Sequence, residues 1–277
     1  MLTYSLDALH EIRSRELSAV FAKHGKLFDK SDVLEIGTGP GFQLEMIQRI
    51  ARMAVGVDIP SSEYRTNDLA NVVIFDGAKL PFADQSFDLI YSSNVMEHVI
   101  HEPLLHREMQ RVLRPTGVAI HVVPSSSWRL WTMLVHYVKV PELFVRVLHQ
   151  RSQPNDIGRL VPTTNTRSKS YAKLIAAALC PPRHGERGNR LTEWWHFRSM
   201  SWRRRFDEFG WDVESIRGAG LFYTGYLVAP RHMSSERRQR WSTFLGSASL
   251  ICFLRPKSSR TALGRTASKR SDSHSCA

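Results

Sequence analysis

A short apolar run near residue 33 leads directly into a turn rich in glycine, and an acidic residue lies within the run. Residues 33–36 predict a buried strand that contains Glu35. Glycines at 37, 39 and 41 allow positive φ angles and leave no Cβ between the main chain and a bound group. A helix beginning near residue 41 would point its free N–H groups at that place. The turn therefore predicts a pocket for an anionic or polar cofactor.

Two further carboxylates follow the next two apolar runs of the chain. Asp58 ends the run 54–58, and Asp76 follows the run 72–75. In nucleoside-binding α/β folds, an acid at the end of the second strand accepts hydrogen bonds from the ribose hydroxyls. We therefore expect Asp58 to bind a ribose.

The spacing of the glycines separates two classes of cofactor. Dinucleotide-binding turns read G-x-G-x-x-G, whereas here the third glycine comes one residue early and Phe42 stands in its place. This departure weakens the nicotinamide interpretation. A G-x-G-x-G turn led by an acid resembles motif I of the class I S-adenosylmethionine-dependent methyltransferases.

A longer segment strengthens the resemblance. Residues 76–88 are similar to the D-x-x-x-L-P-F-x-D-x-S-F-D segment, and residues 97–99 to the E-H-V, of the broad family that includes the ubiquinone and menaquinone biosynthesis methyltransferases. The R-V-L-R-P-x-G sequence at 111–117, read as the end of a helix and a tight turn, and the apolar strand 118–124 also resemble that family. The match covers about residues 30–124.

The resemblance implies S-adenosylmethionine as the cofactor and a set of residues that bind it. Asp76 is expected to accept a hydrogen bond from the adenine amino group, with residues 80–82 as a wall of the adenine site. The expected cofactor-binding residues are Glu35, Gly37, Thr38, Gly39, Gly41, Asp58, Ile59, Asp76, Gly77, Ala78, Ser93 and Asn94.

The resemblance also implies an α/β fold: a Rossmann-like, doubly wound, seven-stranded and mostly parallel sheet, with a helical and loop insertion after the fifth strand. We expect one methyltransferase domain over 1–256, with its core at 1–124 and 195–256 and a substrate-side insertion at 125–194. Residues 257–277 have the composition of a disordered basic tail.

The insertion begins with a helix predicted over 128–140 and ended by Pro141. On a helical wheel its polar residues Arg129, Thr132, His136 and Lys139 form one narrow stripe, and apolar residues fill the rest. A membrane span needs roughly 18 or more apolar residues with few charges, so this helix cannot cross a bilayer. It is either a lid over the site or an element resting in a membrane interface.

Several polar and aromatic residues are candidates for contact with the methyl acceptor. His98 lies just past the fourth strand and is the candidate general base, since imidazole titrates near neutral pH. A histidine at the start of a helix is more often a packing or capping residue. His184, Glu186, Trp194 and Trp195 are candidate substrate contacts, or a surface loop anchored by two tryptophans.

Cysteine spacing and charge narrow the metals, cell compartments and partners that we expect for this chain. The three cysteines lie far apart, so we expect no zinc site, no other metal and no disulfide framework, and the polar start of the chain does not predict a signal peptide. We therefore expect a cytoplasmic protein, with peripheral contact to the inner face of the membrane as an alternative. The 38 basic against 26 acidic residues would suit a nucleic-acid binder, but six of the basic residues lie after residue 254.

The acceptor is inferred partly from motifs that are missing. Neither Asn-Pro-Pro-Tyr nor Asp-Pro-Pro-Tyr follows the fourth strand, so methylation of base amines is not indicated and no nucleic-acid partner is expected. The apolar insertion and basic patches favour O-methylation of a small or amphiphilic metabolite, such as a lipid-linked sugar or a quinone-like ring. The alternatives are a catalytically idle, basic adaptor with the same fold and a nicotinamide-dependent oxidoreductase.

Overall fold

The computed structural model describes residues 6–62, 71–150, 183–225 and 234–257, except for the side chains of 6–8, 139–150 and 235. The strands are β1 (Asp32–Ile36), β2 (Met53–Asp58), β3 (Val72–Ile74), β4 (Phe87–Ser93), β5 (Leu113–Pro124), β6 (Trp211–Gly218) and β7 (Ser249–Pro256). The α-helices are α1 (Leu6–His24), α2 (Phe42–Gln48), α3 (Glu102–Val112), α4 (Ser126–Gln150), α5 (Glu193–His196), α6 (Ser199–Glu208) and α7 (Ser235–Leu245). Short 3-10 helices cover Gly25–Leu27 and Met96–His98.

The strands form one seven-stranded sheet in the order β3-β2-β1-β4-β5-β7-β6. β1 pairs in parallel with both β2 and β4, and β2 pairs in parallel with β3. The sheet as a whole is mixed, with mostly parallel strands. This confirms the predicted doubly wound α/β fold. Because the strand order reverses beside β1, the carboxyl ends of β1, β2 and β4 meet at one edge, which is where open α/β sheets bind ligands.

The chain divides into two compact units. The first, here the helical unit, comprises Met1–Lys23, Val122–Ser201 and Gly218–Leu250. The second, here the sheet unit, comprises His24–His121, Trp202–Arg217 and Ile251–Ala277. The boundaries expected from the sequence, a single domain with an insertion at 125–194 and a tail from 257, stay a prediction, and most of that tail lies outside the described residues.

Apolar strands and the aromatic residues packed with them make the core of the sheet unit. Val33, Leu34 and Ile36 of β1 are buried, as their predicted strand requires. Trp202 and Phe206 of α6 are also fully buried, with their rings stacked 5.8 Å apart. Burial of this apolar surface stabilises the strands whose ends carry the candidate site.

Two boundaries predicted from proline were wrong. The tight turn expected at 114–117 is part of β5, which begins at Leu113. The reason is that a residue before proline, here Arg114, is driven away from helical geometry toward an extended backbone. The helix expected to end at Pro141 continues to Gln150. A proline removes one backbone hydrogen bond from a helix, and the remaining bonds can carry the helix past it.

Despite the 25 residues of α4, none of the helices in the described ranges combines the length and the apolar character that a membrane span requires.

One polar pair lies inside the sheet. Ser92 of β4 and His121 of β5 are both fully buried, and Ser92 Oγ lies 2.7 Å from His121 Nδ1. His121 Nε2 has no hydrogen-bond partner among the described residues, and its ring stacks on Phe206. Because burial disfavours the charged imidazolium, it lowers the pKa of His121 to about 3.

This burial predicts a pH-dependent loss of stability. Between about pH 6.5, where an ordinary histidine titrates, and about pH 3, the unfolded chain binds a proton at position 121 that the folded chain does not. The free energy of unfolding should therefore fall as pH falls through that window, with a contribution from this group of about 1.4 kcal/mol per pH unit. Denaturant unfolding of His121→Asn, which keeps a polar partner for Ser92, should show a shallower dependence. The exposed control His101→Asn should match the wild-type slope, and an equal slope for both variants would refute the assignment.

Candidate functional site

The turn after β1 uses the conformations that the sequence predicted for its glycines. Gly37, Gly39 and Gly41 have φ angles of +74°, +55° and +87°. Gly41 is the N-cap of α2, and its N–H donates to Thr38 O at 3.1 Å. These left-handed conformations are costly for residues with a Cβ, so the turn depends on glycine.

Two of the close approaches around this turn also exclude side chains. A Cβ on Gly37 would overlap the side chain of Val95, which follows β4. A Cβ on Gly56 in β2 would overlap Thr38 Oγ1, and that hydroxyl donates to Val57 O at 3.3 Å. The turn thus packs closely against β2 on one side and against the residue Val95 after β4 on the other.

Asp58 connects the turn to the end of β2. Its Oδ2 accepts a hydrogen bond from Gly39 N–H at 2.8 Å, and its Oδ1 accepts one from Ile59 N–H at 2.8 Å. The carboxylate is buried, and a carboxylate has about four lone-pair positions. The predicted ribose acid therefore also holds the glycine turn in place and retains acceptor capacity.

Glu35 is a buried acid at the end of β1. It is 1% exposed, and its Oε2 has no hydrogen-bond partner within the described part of the chain. Burial raises the pKa of this carboxyl well above its usual range, and the negative charge of Asp58 raises it further. An orphaned buried oxygen beside a glycine turn fits a ligand with a positively charged or hydrogen-bond-donating group, which would stabilise the ionised form.

Asp76 is exposed and organises the turn after β3. Its Oδ1 accepts hydrogen bonds from Ala78 N–H and Lys79 N–H at 2.8 Å and 2.7 Å, and these bonds lower the pKa of the carboxyl. Gly77, with φ +83°, lies close to Ile59, since a Cβ on it would be 3.5 Å from Ile59 Cγ2. The expected adenine and ribose residues are therefore neighbours.

An arginine on α3 holds the loop predicted to wall the adenine site. Arg111 Nη1 donates to Phe82 O at 2.8 Å, and its Nη2 donates to Leu80 O at 3.0 Å. The same guanidinium pairs with Glu108 and Asp84, and Glu108 Oε2 accepts from Leu80 N–H at 3.0 Å. These hydrogen bonds fix the backbone of residues 80–84 from the helix behind it.

The segment after β4 contains a strained residue and a second clamp. Asn94 has a φ of +55°, and its side-chain amide donates to Ser93 Oγ at 3.2 Å. Farther along, Arg205 of α6 forms a buried, two-pronged ion pair with Glu102 and donates to Met96 O at 2.9 Å. A carbonyl of the segment that follows Val95 is thereby held in place.

His98 ends the short 3-10 helix Met96–His98. Its ring is exposed, and Nε2 lies 3.8 Å from Oε1 of the buried Glu97. An exposed imidazole beside a carboxylate has the chemistry of a general base.

The four candidate substrate residues all belong to the helical unit. His184 is half-buried, with its ring 4.5 Å from Trp128. The backbone N–H of His184 donates to Glu193 Oε1 at 2.8 Å. Glu186 is exposed and pairs with Arg183 at 2.7 Å. These contacts place His184 in a packed cluster and Glu186 on the surface.

The two tryptophans of α5 lie side by side. The rings of Trp194 and Trp195 are 6.2 Å apart, and the Arg198 guanidinium lies 4.3 Å from the centroid of Trp195. Trp195 is exposed, whereas Trp194 is half-buried. Trp195 is therefore the more accessible of the two to a ligand or partner.

Four residues that shape the site were missed in the sequence. Gly56 lies inside a strand, where glycine commonly indicates close backbone approach, so that signal was present. Val95, Arg111 and Arg205 gave no local signal, because their roles depend on residues distant in sequence.

Residues 34–121, which contain this turn, the acids and the clamped loop, match the family described as "Methyltransferase domain". This segment of the chain belongs to the class I S-adenosylmethionine-dependent methyltransferase family. S-Adenosylmethionine is the cofactor of that family, and the buried Glu35 oxygen that lacks a hydrogen-bond partner within the described residues fits such a group.

The methyltransferase domain has bacterial relatives. Over 141 residues the chain is 36% identical to an uncharacterized methyltransferase of Mycobacterium sp. strain KMS, a match that covers 46% of this chain and 54% of that protein. Over 103 residues it is 41% identical to an uncharacterized methyltransferase of Mycobacterium sp. strain JLS, covering 36% and 39%. The chain thus spans about half, or less, of the length of these relatives. The crystal structure of an S-adenosylmethionine-dependent methyltransferase from Mesorhizobium loti is 15% identical, with a TM-score of 0.48 over 86% of this chain and 97% of that one.

The glycine turn predicts a specific loss of cofactor binding. Gly37→Ala introduces a Cβ at positive φ and against Val95, so the turn must shift. We expect the affinity for S-adenosylmethionine, measured by calorimetry, to fall at least about tenfold, equal to about 1.4 kcal/mol. The double variant Gly37→Ala, Val95→Ala should recover part of the loss because it removes the overlap.

Gly220→Ala is the matched control. Gly220 has a similar φ of +79°, but a Cβ there would meet nothing within 4 Å. Both variants carry the backbone strain of about 1 kcal/mol, and only Gly37→Ala carries the overlap. Wild-type affinity in Gly37→Ala would show that the cofactor does not contact this turn.

Proposed function

We propose that the protein is an enzyme that transfers a methyl group from S-adenosylmethionine to an oxygen of a small or amphiphilic metabolite. The observation that carries the proposal is the grouping of Glu35 and Asp58 around a glycine turn, with Asp76 following the next strand in the sheet. A side chain at Gly37 would overlap Val95, and Glu35 Oε2 is buried without a hydrogen-bond partner within the described ranges.

Each part of the site has a proposed role toward the cofactor. Glu35 and the turn Gly37–Gly41 would bind its amino-acid part, and Asp58 with Ile59 its ribose. Asp76, Gly77 and Ala78 would bind the adenine, between the loop held by Arg111 and the residues Ser93 and Asn94.

The reaction needs little from the protein beyond alignment. The bound cofactor supplies a methyl group already activated by a sulfonium. Orientation of reacting groups alone can contribute roughly 7–11 kcal/mol. When the acceptor is a hydroxyl, a base must take its proton as the new carbon–oxygen bond forms and the bond from the methyl carbon to sulfur breaks. We assign that proton to His98, which lies in the segment after β4 beside Glu97.

The acceptor we favour is a lipid-linked sugar or a quinone-like ring. Two features support an amphiphile: the aromatic pairs His184–Trp128 and Trp194–Trp195 in the helical unit, and the exposed apolar face of α4 described below. We also propose that the protein acts in the cytoplasm, where the sparse cysteines would stay reduced.

Cofactor titration separates this proposal from its alternatives. We expect S-adenosylmethionine to bind the full-length chain in calorimetry and NAD or NADP not to bind. Absence of S-adenosylmethionine binding would favour the idle adaptor, and binding of NAD would favour the oxidoreductase.

Glu35→Gln should weaken S-adenosylmethionine binding at least about tenfold, since hydrogen bonds to charged groups contribute about 1.5–3 kcal/mol.

The same variant should stabilise the protein without cofactor. Since the pKa of Glu35 is raised in the folded state, the stability it contributes is full below its unfolded pKa and is lost as pH rises through the folded value. Glu35→Gln removes that loss, so its thermal midpoint at pH 8 should exceed that of the wild type. Glu45→Gln, on the exposed face of α2, is the control and should change neither quantity.

The acceptor can be sought with labelled cofactor. Incubation of the enzyme with methyl-labelled S-adenosylmethionine and fractionated lipids, glycans and small metabolites should transfer label to an amphiphilic fraction. Transfer of label only to nucleic acid or protein would overturn the proposed acceptor class.

The role of His98 is tested once an acceptor is known. His98→Ala should lower kcat at saturating cofactor by about 10²–10⁴-fold, the usual contribution of a general base, and should remove the acidic limb of the pH–rate profile. The affinity for S-adenosylmethionine should stay unchanged. His101→Ala, an exposed histidine nearby in sequence, is the control. Full turnover by His98→Ala would exclude the base role.

A further inference from the structure

Three residues of the polar stripe of α4, Arg129, Thr132 and His136, are buried, and the first two contact other residues of the helical unit. Arg129 Nε lies 3.1 Å from Glu193 Oε2, and Arg129 Nη2 donates to Arg190 O at 2.6 Å. Thr132 Oγ1 accepts from Gly225 N–H at 2.7 Å. His136 is buried as well. The polar side of this helix therefore faces protein.

The opposite side of α4 is apolar and exposed. Leu130, Leu134, Tyr137 and Val138 follow the spacing of one helical face, and Val138 is 78% exposed. A helix that buries its polar stripe and exposes its apolar stripe reverses the usual pattern of a protein in water. This face needs an apolar environment outside the helical unit.

A second exposed face lies on α7. Trp241 and Phe244 are 48% and 88% exposed, and Arg237 and Arg240 occupy the same face at spacings of three and four residues. Arg238, on the other side, is buried and donates to Phe222 O at 3.3 Å. The helix thus presents two arginines and two aromatic rings together.

The two faces belong to adjoining helices. Trp131 Nε1 of α4 donates to Leu245 O at the end of α7, 2.9 Å away. The Phe222 ring lies 5.9 Å from Trp131 and 5.8 Å from Trp241, so it joins the two helices through ring contacts. We call the exposed residues of the two helices the apolar–basic surface: Leu130, Leu134, Tyr137, Val138, Arg237, Arg240, Trp241 and Phe244.

We propose that the apolar–basic surface binds the interface of an anionic lipid bilayer. Tryptophan, tyrosine and phenylalanine suit the headgroup boundary, where one part of a ring is apolar and another wet. Arg237 and Arg240 lie beside the exposed rings of α7, where they can pair with lipid phosphates. Basic residues near an anionic leaflet strengthen binding through electrostatic attraction. The proposal does not depend on the methyl acceptor, because binding is measured without turnover.

Vesicle flotation tests the proposal on the full-length chain. We expect the protein to bind vesicles of phosphatidylcholine mixed with phosphatidylglycerol, and to bind pure phosphatidylcholine more weakly. The basic residues after residue 257 would also attract anionic lipid, but salt at about 0.5 M screens that attraction far more than apolar insertion. At that salt concentration, Trp241→Ser with Phe244→Ser should weaken binding at least about tenfold.

Two comparisons locate the binding on this surface. Ile100 and Leu104 of the sheet unit are 74% and 44% exposed. The double variant Ile100→Ser, Leu104→Ser should bind vesicles as the wild type does. Arg237→Gln with Arg240→Gln should weaken binding at low salt and have little effect at high salt. Circular dichroism must show a native spectrum for each variant.

Tryptophan fluorescence of the wild-type protein tests the proposal even where the variants fail to fold. Lipids brominated on the acyl chains should quench wild-type tryptophan fluorescence, and the conservative Trp241→Phe should reduce that quenching while binding persists. The proposal is overturned when the wild type does not bind mixed vesicles, when the serine variant binds like the wild type at high salt, or when quenching is absent. A protein partner would then be the occupant to seek.

Discussion

One carboxylate connects the two turns on which the site depends. The side chain of Asp58 accepts an N–H from the turn after β1 and another from its own turn after β2. Since β1 and β2 are parallel neighbours, with Ile36 paired to Val57, both turns leave the sheet at the same edge. Both turns are therefore held in place by the protein itself, which would lower the conformational cost of binding a ligand there. The hydrogen bond from Gly39 N–H to Asp58 also keeps Gly39 next to the end of β2.

Two arginines extend this preorganisation to the other loops. Arg111 holds the carbonyls of Leu80 and Phe82, and Arg205 holds the carbonyl of Met96. A guanidinium has five N–H donors in a fixed plane, so it can bind a carboxylate and a backbone carbonyl together. Part of the basic excess of the chain is thus used inside the sheet unit. That use weakens composition as an argument for a nucleic-acid partner.

The sequence alone was sufficient to predict where the strands and the acidic residues lie. It was not sufficient to predict which side of a helix faces the rest of the protein. β1, β2 and β4 were predictable because each is a short apolar run bounded by glycine, aspartate or serine. The acids proposed to bind the cofactor could be located in the sequence because Glu35 and Asp58 lie at the ends of β1 and β2 and Asp76 closely follows β3. A helical wheel divides α4 into sectors but does not say which sector faces protein. That direction depends on partners such as Glu193 and Gly225, which are distant in sequence. Val95 was missed for the same reason.

The orientation of α4 follows from the energetics of its buried charges. Arg129 and Glu193 are both buried, and Glu193 Oε1 also accepts the N–H groups of His184 and Gly185. Separating a buried ion pair by removing one partner typically costs 3–5 kcal/mol, because the other charge stays without water. Rotating α4 to bury Leu134 and its neighbours would incur that cost and also release Thr132 from Gly225 N–H. The outward apolar face is therefore fixed by the polar contacts behind it, and only an apolar environment outside the helical unit can cover it.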